Sequence, residues 1–146
     1  MTTPAHTATL TKLGRAQVSA DRELETFPAT DAGQVVVLRC AEFTCRCPVT
    51  GQPDWADIDI TYTPGTLLVE TKSLKLYLET YREQGIFHEH LAAVILADLV
   101  AALAPAACTV AVKFHARGGI AVEAISTYVG PEPMPLRPDP PATEPR

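Results

Sequence analysis

Cys47 precedes Pro48 in the segment Phe43–Asp54, FTCRCPVTGQPD, and Asp54 follows Cys47 seven residues later. A cysteine in a polar, glycine-containing turn is reachable from solvent, unlike one inside an alternating apolar run such as Cys108. The thiolate is the reactive form, and an ordinary thiol with a pKa of about 8.5 supplies only a few per cent of it at neutral pH. A thiol with a carboxyl group nearby suits addition to an electrophilic carbon, in which sulfur attacks and the acid delivers the proton. Two adjacent anions would oppose each other, so a protonated Asp54 beside a forming thiolate is the expected pairing. The competing reading makes Cys47 a small buried residue and Asp54 a turn former.

A second group of residues suits ligand binding. The stretch Glu70–Tyr77, ETKSLKLY, closes the apolar run Leu67–Val69 and opens a helix. Lys72 and Lys75 share a face with Glu79 and Arg82, while Leu74, Leu78 and Tyr81 fall on the other. Glu70 can accept hydrogen bonds from a polar ring, and the two lysines can hold phosphate as point charges. The plainer alternative is a capped, solvated amphipathic helix. Glu89 in the first turn of a second helix is either a residue favoured by the helix dipole or a carboxylate for the N–H edge of a nitrogen heterocycle, with His88 as an adjacent proton donor or acceptor. Arg117, before Gly118 and Gly119, is a turn residue or a phosphate contact, since backbone N–H groups in a glycine turn also face anions. Cys45 and Cys47, with His88 or His90, could ligate zinc, although paired cysteines in structural zinc motifs usually lie further apart. His6, His90 and His115 belong to no constellation. Neither a G-x-G-x-x-G after a strand nor a P-loop is present, so a nucleotide would not be held in the Rossmann way.

The elements that position these residues form an ordered series. Val35–Leu38 is a β-rich run, Cys45–Asp54 is turn-rich, and Ile58, Ile60 and Tyr62 alternate with polar residues as in a half-buried strand. A helix is predicted from about Lys72 to Gln84, ended by Gly85, and a second from His88 to Leu103, stopped by Pro105. Cys108–Phe114 and Ile120–Tyr128 read as two further strands around the Arg117–Gly119 turn. The order strand, strand, helix, helix, strand, strand predicts an α+β layer, with both helices on one face of a four-stranded antiparallel sheet. Open sheet edges tend to pair with other chains, which predicts a homo-oligomer. Residues 1–32 read as a loosely attached arm with a short ordered piece near Leu10–Leu13, residues 33–129 as the catalytic domain, and residues 130–146 as an extended tail holding seven of the thirteen prolines.

The net charge of −5 argues against general nucleic-acid binding. The apolar stretch Leu91–Pro105 is too short to span a membrane and is interrupted by Asp98. The first residues lack the order of a signal peptide, which predicts a cytoplasmic protein with free, catalytic or metal-bound cysteines.

The segments EFTCRCPVTGQPDWADIDITY, LVETKSLKLYL, FHEH and RGGI together resemble the short, single-domain, NADPH-dependent 7-cyano-7-deazaguanine (preQ0) nitrile reductases of queuosine biosynthesis. The likeness runs from about Val35 to Ile125, with one departure, Thr71, where the family has Ser or Leu. It implies a tunnelling fold (T-fold), an oligomeric barrel of ββααββ units, assembled as a homodecamer of two stacked pentamers with sites between subunits. It implies that Cys47 attacks the nitrile carbon to form a thioimide and that Asp54 donates a proton to the nitrile nitrogen, with His88 beside it. It further implies a deazapurine held by Val69, Glu70, Thr71, His88 and Glu89, and NADPH phosphates met by Lys72, Lys75 and Arg117, with no metal. The product would be 7-aminomethyl-7-deazaguanine, after reduction by two NADPH. Two alternatives remain at this stage: a zinc-dependent GTP cyclohydrolase-like T-fold enzyme, and a non-catalytic purine- or pterin-binding T-fold protein.

Overall fold

Alternation of apolar and polar residues builds the main sheet. The computed structural model describes residues 10–16, 19–30 and 33–131. The chain forms β1 (Thr26–Pro28), β2 (Val36–Arg46), β3 (Pro53–Thr63), β4 (Leu67–Val69), α1 (Thr71–Glu79), α2 (His88–Leu103), β5 (Ala107–Arg117) and β6 (Ile120–Val129). β2, β3, β5 and β6 pair in that order as an antiparallel four-stranded sheet, and β1 pairs antiparallel with β4 as a separate ribbon. Ala56, Ile58, Ile60 and Tyr62 of β3 and Cys108, Val110, Val112 and Phe114 of β5 are buried on one face. They meet Leu74, Tyr77 and Leu78 of α1 and Leu91, Ile95 and Leu99 of α2 in a single core. The result is the α+β arrangement of two helices on antiparallel sheet that the element order predicts.

The boundaries differ from expectation in informative ways. The turn expected over Cys45–Asp54 contracts to residues 47–52, because Cys45 pairs with Asp54 and Arg46 with Pro53. α1 ends at Glu79 rather than Gln84. The Thr80 hydroxyl donates to the Tyr77 carbonyl at 2.6 Å, and the chain continues in tight turns, with Arg82 N–H on the Glu79 carbonyl at 3.2 Å. A side-chain hydroxyl bonded to a helical carbonyl slightly destabilises and bends a helix, which favours its ending here. α2 keeps its expected bounds. Ala104 turns left-handed at φ 43° before Pro105, which cannot continue the helix.

The first 32 residues do more than form a loose arm. β1 lies within them, and Glu25 and Lys12 are buried. The Glu25 carboxylate accepts from the backbone N–H of Thr11 at 2.9 Å and of Lys12 at 3.2 Å, and the Lys12 ammonium pairs with Asp21 at 3.2 Å. Ser73 of α1 accepts from the Glu25 N–H at 2.6 Å. The segment is thereby fastened to the start of α1. Residues 1–9 and the proline-rich stretch 132–146 lie outside the described residues.

Asp98, the charge that breaks the apolar run of α2, has a structural explanation. The Tyr77 hydroxyl donates to Asp98 Oδ2 at 2.6 Å and lies 2.9 Å from the Tyr81 hydroxyl. Burial pushes the Tyr77 phenol far above its ordinary value, so it stays a donor. The guanidinium of Arg22 sits 4.1 Å above the Tyr81 ring and ties the N-terminal segment to the same cluster. Tyr77→Phe removes a buried bond to a carboxylate and should lower stability by about 1–3 kcal/mol. Urea unfolding reads this as a lower midpoint with an unchanged slope.

Candidate active site

The turn after β2 shapes the Cys47 thiol. Pro48, Val49 and Thr50 follow it in a single turn, in which the Gly51 N–H donates to the Cys47 carbonyl at 2.9 Å and the Cys47 N–H to the Gln52 carbonyl at 2.8 Å. Pro48 stands at the first position of this turn, where its fixed φ is suited. The side chain of Thr50 and the N–H groups of Thr50 and Val49 donate to the sulfur, Arg117 adds a further bond, and the thiol is lowered to about 7. Burial, by contrast, pushes both Cys45 and Cys108 up to about 12. One cysteine is therefore activated while two strand cysteines are inert.

Three elements converge on Asp54. β3 carries it, with a side chain only 2% exposed. His88, the first residue of α2, brings Nε2 to 3.1 Å from Asp54 Oδ2, and Arg117, at the end of β5, brings Nη1 to 3.2 Å from Oδ1. A buried carboxylate needs such partners, because an unpaired one would be costly. The imidazole stacks on Phe114 at 3.6 Å with the rings nearly parallel, which fixes its plane. With Nε2–H donating to Asp54, that nitrogen cannot also accept from Arg117, whose Nη2 lies 3.4 Å away. The Asp54 carboxylate is then the acceptor for both groups.

The sequence residues divide into those gathered here and those placed elsewhere. Cys47, Asp54, His88 and Arg117 come together. Arg117 thus stands at the thiol and carboxylate as well as near solvent, its side chain being 50% exposed. Glu89 is exposed in the first turn of α2. Val69, Glu70 and Thr71 stand at the junction of β4 and α1. The Glu70 carboxylate caps α1, accepting from the N–H of Lys72 at 2.8 Å and of Ser73 at 2.7 Å. Val69 is buried and its N–H donates to the Tyr62 hydroxyl at 3.1 Å. The Lys72 ammonium donates to the Arg15 carbonyl. Lys75 and Thr71 line a cleft of about 500 Å³ between β2 and α1, with Arg39 and Arg82 around an apolar floor that includes Leu38 and Leu74. Thr50 was not singled out from sequence, and its signal was the cysteine–proline–x–threonine spacing of a capped turn.

Cys45 points into the core, which separates it from Cys47, and the described residues contain no group of three or more His, Cys, Asp or Glu placed to hold a metal. No helix among them is long and apolar enough to cross a membrane.

At pH 7 a small alkylating reagent should label Cys47 while Cys45 and Cys108 stay silent, as read by peptide mass spectrometry. Thr50→Val removes the largest stabilising contact to the thiolate. Its pH profile of Cys47 labelling should shift upward from a midpoint of about 7.

The chain is similar to known proteins of one family. A family model described as QueF-like protein matches residues 53–132. The chain is 66% identical over 119 residues to the NADPH-dependent 7-cyano-7-deazaguanine reductase of Frankia casuarinae, covering 82% of this chain and 95% of that one. It is 50% identical over 132 residues to the protein of the same name from Syntrophus aciditrophicus, covering 89% of this chain and 94% of that one. The crystal structure of the archaeosine synthase QueF-Like in the apo form aligns with a TM-score of 0.63 at 26% identity, over 72% of this chain and 100% of that one. With the activated Cys47 turn, the Asp54 cluster and these relatives together, the chain belongs to the QueF-like family.

Proposed function

We propose that this protein reduces the nitrile of 7-cyano-7-deazaguanine to the aminomethyl group with NADPH, through a thioimide on Cys47, as a step of queuosine biosynthesis. The observation that carries the reading is the Cys47 thiol, lowered to about 7 in a turn next to a buried Asp54–His88 pair. A nitrile carbon is an electrophile suited to a thiolate. The S–H bond breaks and an S–C bond forms, and the thiol proton passes through Asp54 to the nitrile nitrogen. The net step adds S–H across the triple bond and needs no other reactant. His88 holds the Asp54 carboxylate in place during both transfers.

NADPH supplies the hydride for each of two successive two-electron reductions. Its phosphates fit cationic groups that reach solvent, and Lys75 and Arg117 do so, with Lys72 beside Lys75 on α1. We assign these three residues to the cofactor. We assign the deazapurine to Val69, Glu70, Thr71, His88 and Glu89, with the exposed Glu89 carboxylate on the ring's N–H edge.

The contacts of Val69, Glu70 and Lys72, and the cleft lined by Thr71 and Lys75, include none of Cys47, Asp54, His88 or Arg117, which supports sites completed between subunits. β2 and β6 are the two edge strands, 11 and 10 residues long, and Ile120, Ile125 and Val129 of β6 are exposed. Edges of this length favour sheet-to-sheet pairing of copies, and β6 offers the more regular one, since β2 shifts register between Cys40 and Phe43. We propose a T-fold barrel on that basis, with two stacked pentamers following from the family resemblance. A reducing cytoplasm suits the reactive thiol, and all four cysteines are free. No observation favours the zinc-dependent alternative, since Cys45 is fully buried.

NADPH oxidation at 340 nm (a property of the dinucleotide) with 7-cyano-7-deazaguanine as substrate tests the proposal, at two NADPH per product. Cys47→Ala should abolish turnover. Asp54→Asn should lower kcat by roughly a hundredfold or more, the scale of a lost general acid. Wild-type turnover by Cys47→Ala would refute the covalent route.

A further inference from the structure

We infer that Arg117 is a positioning residue of the reaction centre, holding the Asp54 carboxylate toward the Cys47 sulfur, in addition to any contact with the cofactor. The inference rests on the reading of Cys47 and Asp54 given above. The cofactor role asks only for a cation that reaches solvent. The structure also brings this half-exposed cation onto a buried carboxylate. Arg117 Nη1 is 3.2 Å from Asp54 Oδ1, on the oxygen that His88 does not use, since His88 Nε2 sits on Oδ2 at 3.1 Å. The two partners therefore grip opposite oxygens of one carboxylate and leave it no rotation. Arg117 also helps to lower the Cys47 thiol, behind the donors of its own turn. A planar fork on the carboxylate keeps further N–H groups for a neighbouring anion, which a single ammonium does not match in geometry.

The position of Arg117 follows from the sheet. β5 departs from regular register with β6 between Phe114 and Arg117, and Arg117 pairs with Ile120 across the Gly118–Gly119 turn. Gly118 and Gly119 both have positive φ, at 57° and 79°, which lets the strand end tightly here. Phe114, in the same strand, carries the stacked His88 ring. One strand thus fixes both partners of Asp54. The charged and titratable groups that face Asp54 are His88 from α2 and Arg117 from β5, while Arg117 and the turn residues Val49 and Thr50 act on the Cys47 thiol.

The test separates positioning from cofactor binding by omitting the cofactor. Purified Arg117→Gln and Arg117→Lys are mixed with 7-cyano-7-deazaguanine without NADPH, and the rate of covalent adduct formation is followed by intact mass. Alkylation of Cys47 is measured across pH in parallel, without substrate. Positioning predicts that Arg117→Gln forms adduct up to about a hundredfold more slowly, the scale of an ångström-sized misplacement. It also predicts a Cys47 labelling midpoint above about 7. Arg117→Lys should restore the midpoint, because it keeps the charge, and only part of the adduct rate, because it lacks the fork. Wild-type adduct rates in both variants, with only the KM for NADPH raised, would overturn the inference and leave Arg117 to the cofactor. Should Arg117→Gln not fold, the Arg117→Lys adduct rate decides alone, a wild-type rate refuting the positioning role. If the wild-type protein forms no adduct, the nitrile reading falls. The labelling midpoint of Arg117→Gln then still decides whether Arg117 acts on the thiol, an unchanged midpoint overturning it.

Discussion

Asp54 is a carboxylate with almost no access to water, and such a group persists only where its surroundings replace the water. Its two oxygens are met by His88 and Arg117 from two different elements. That requirement binds three parts of the fold together. β3 must lie between β2 and β5, α2 must begin over the sheet at Phe114, and β5 must end at a glycine turn. The Cys45–Asp54 pairing in the β2–β3 hairpin then delivers the following turn, with Cys47, to the same place. Removing one partner of a buried ion pair is more costly than the pair's net contribution to stability, so the cluster is better understood as a device for placement than as a source of stability.

The thiol is tuned by a different mechanism from the carboxylate. Cys47 is stabilised as an anion mainly by donors of its own turn, with Arg117 a smaller contributor. The two groups can therefore be adjusted separately. Elsewhere, the N-terminal segment is fastened through Glu25 and Ser73 to the start of α1, the stretch that carries Glu70, Lys72 and Lys75. Placement of Lys72 and Lys75 thus depends on residues distant in sequence. Glu70 itself serves its own helix, so any contact with a substrate ring would use the lone pairs that the two backbone donors leave free.

Much of this was legible from sequence. The alternation in Ile58–Tyr62 and Cys108–Phe114 and the bounds of α2 follow from periodicity and stop residues, and these elements form as expected. Cys47, Asp54 and His88 were identifiable by chemical type. Their meeting point was not, because it depends on strand register, and a shift of one residue would turn Asp54 to the other face. From its glycine turn Arg117 read as a turn residue or a phosphate contact, and nothing local to it reveals a partner sixty-odd residues away in β3. The N-terminal anchoring was hidden for a similar reason. Lys12 and Glu25 carry no apolar pattern, and their burial comes from bonds closed across the chain. Asp98 looked like an interruption of α2 until Tyr77 supplied its donor.

The central claim is that Cys47 is the cysteine that attacks a nitrile carbon. Incubation of the wild-type protein with 7-cyano-7-deazaguanine in the absence of NADPH, followed by digestion and peptide mass spectrometry, tests it directly. The account predicts a gain of one intact substrate mass, confined to the peptide that carries Cys47. Substrate mass on a different cysteine, or none on any peptide under conditions that support turnover, would contradict it.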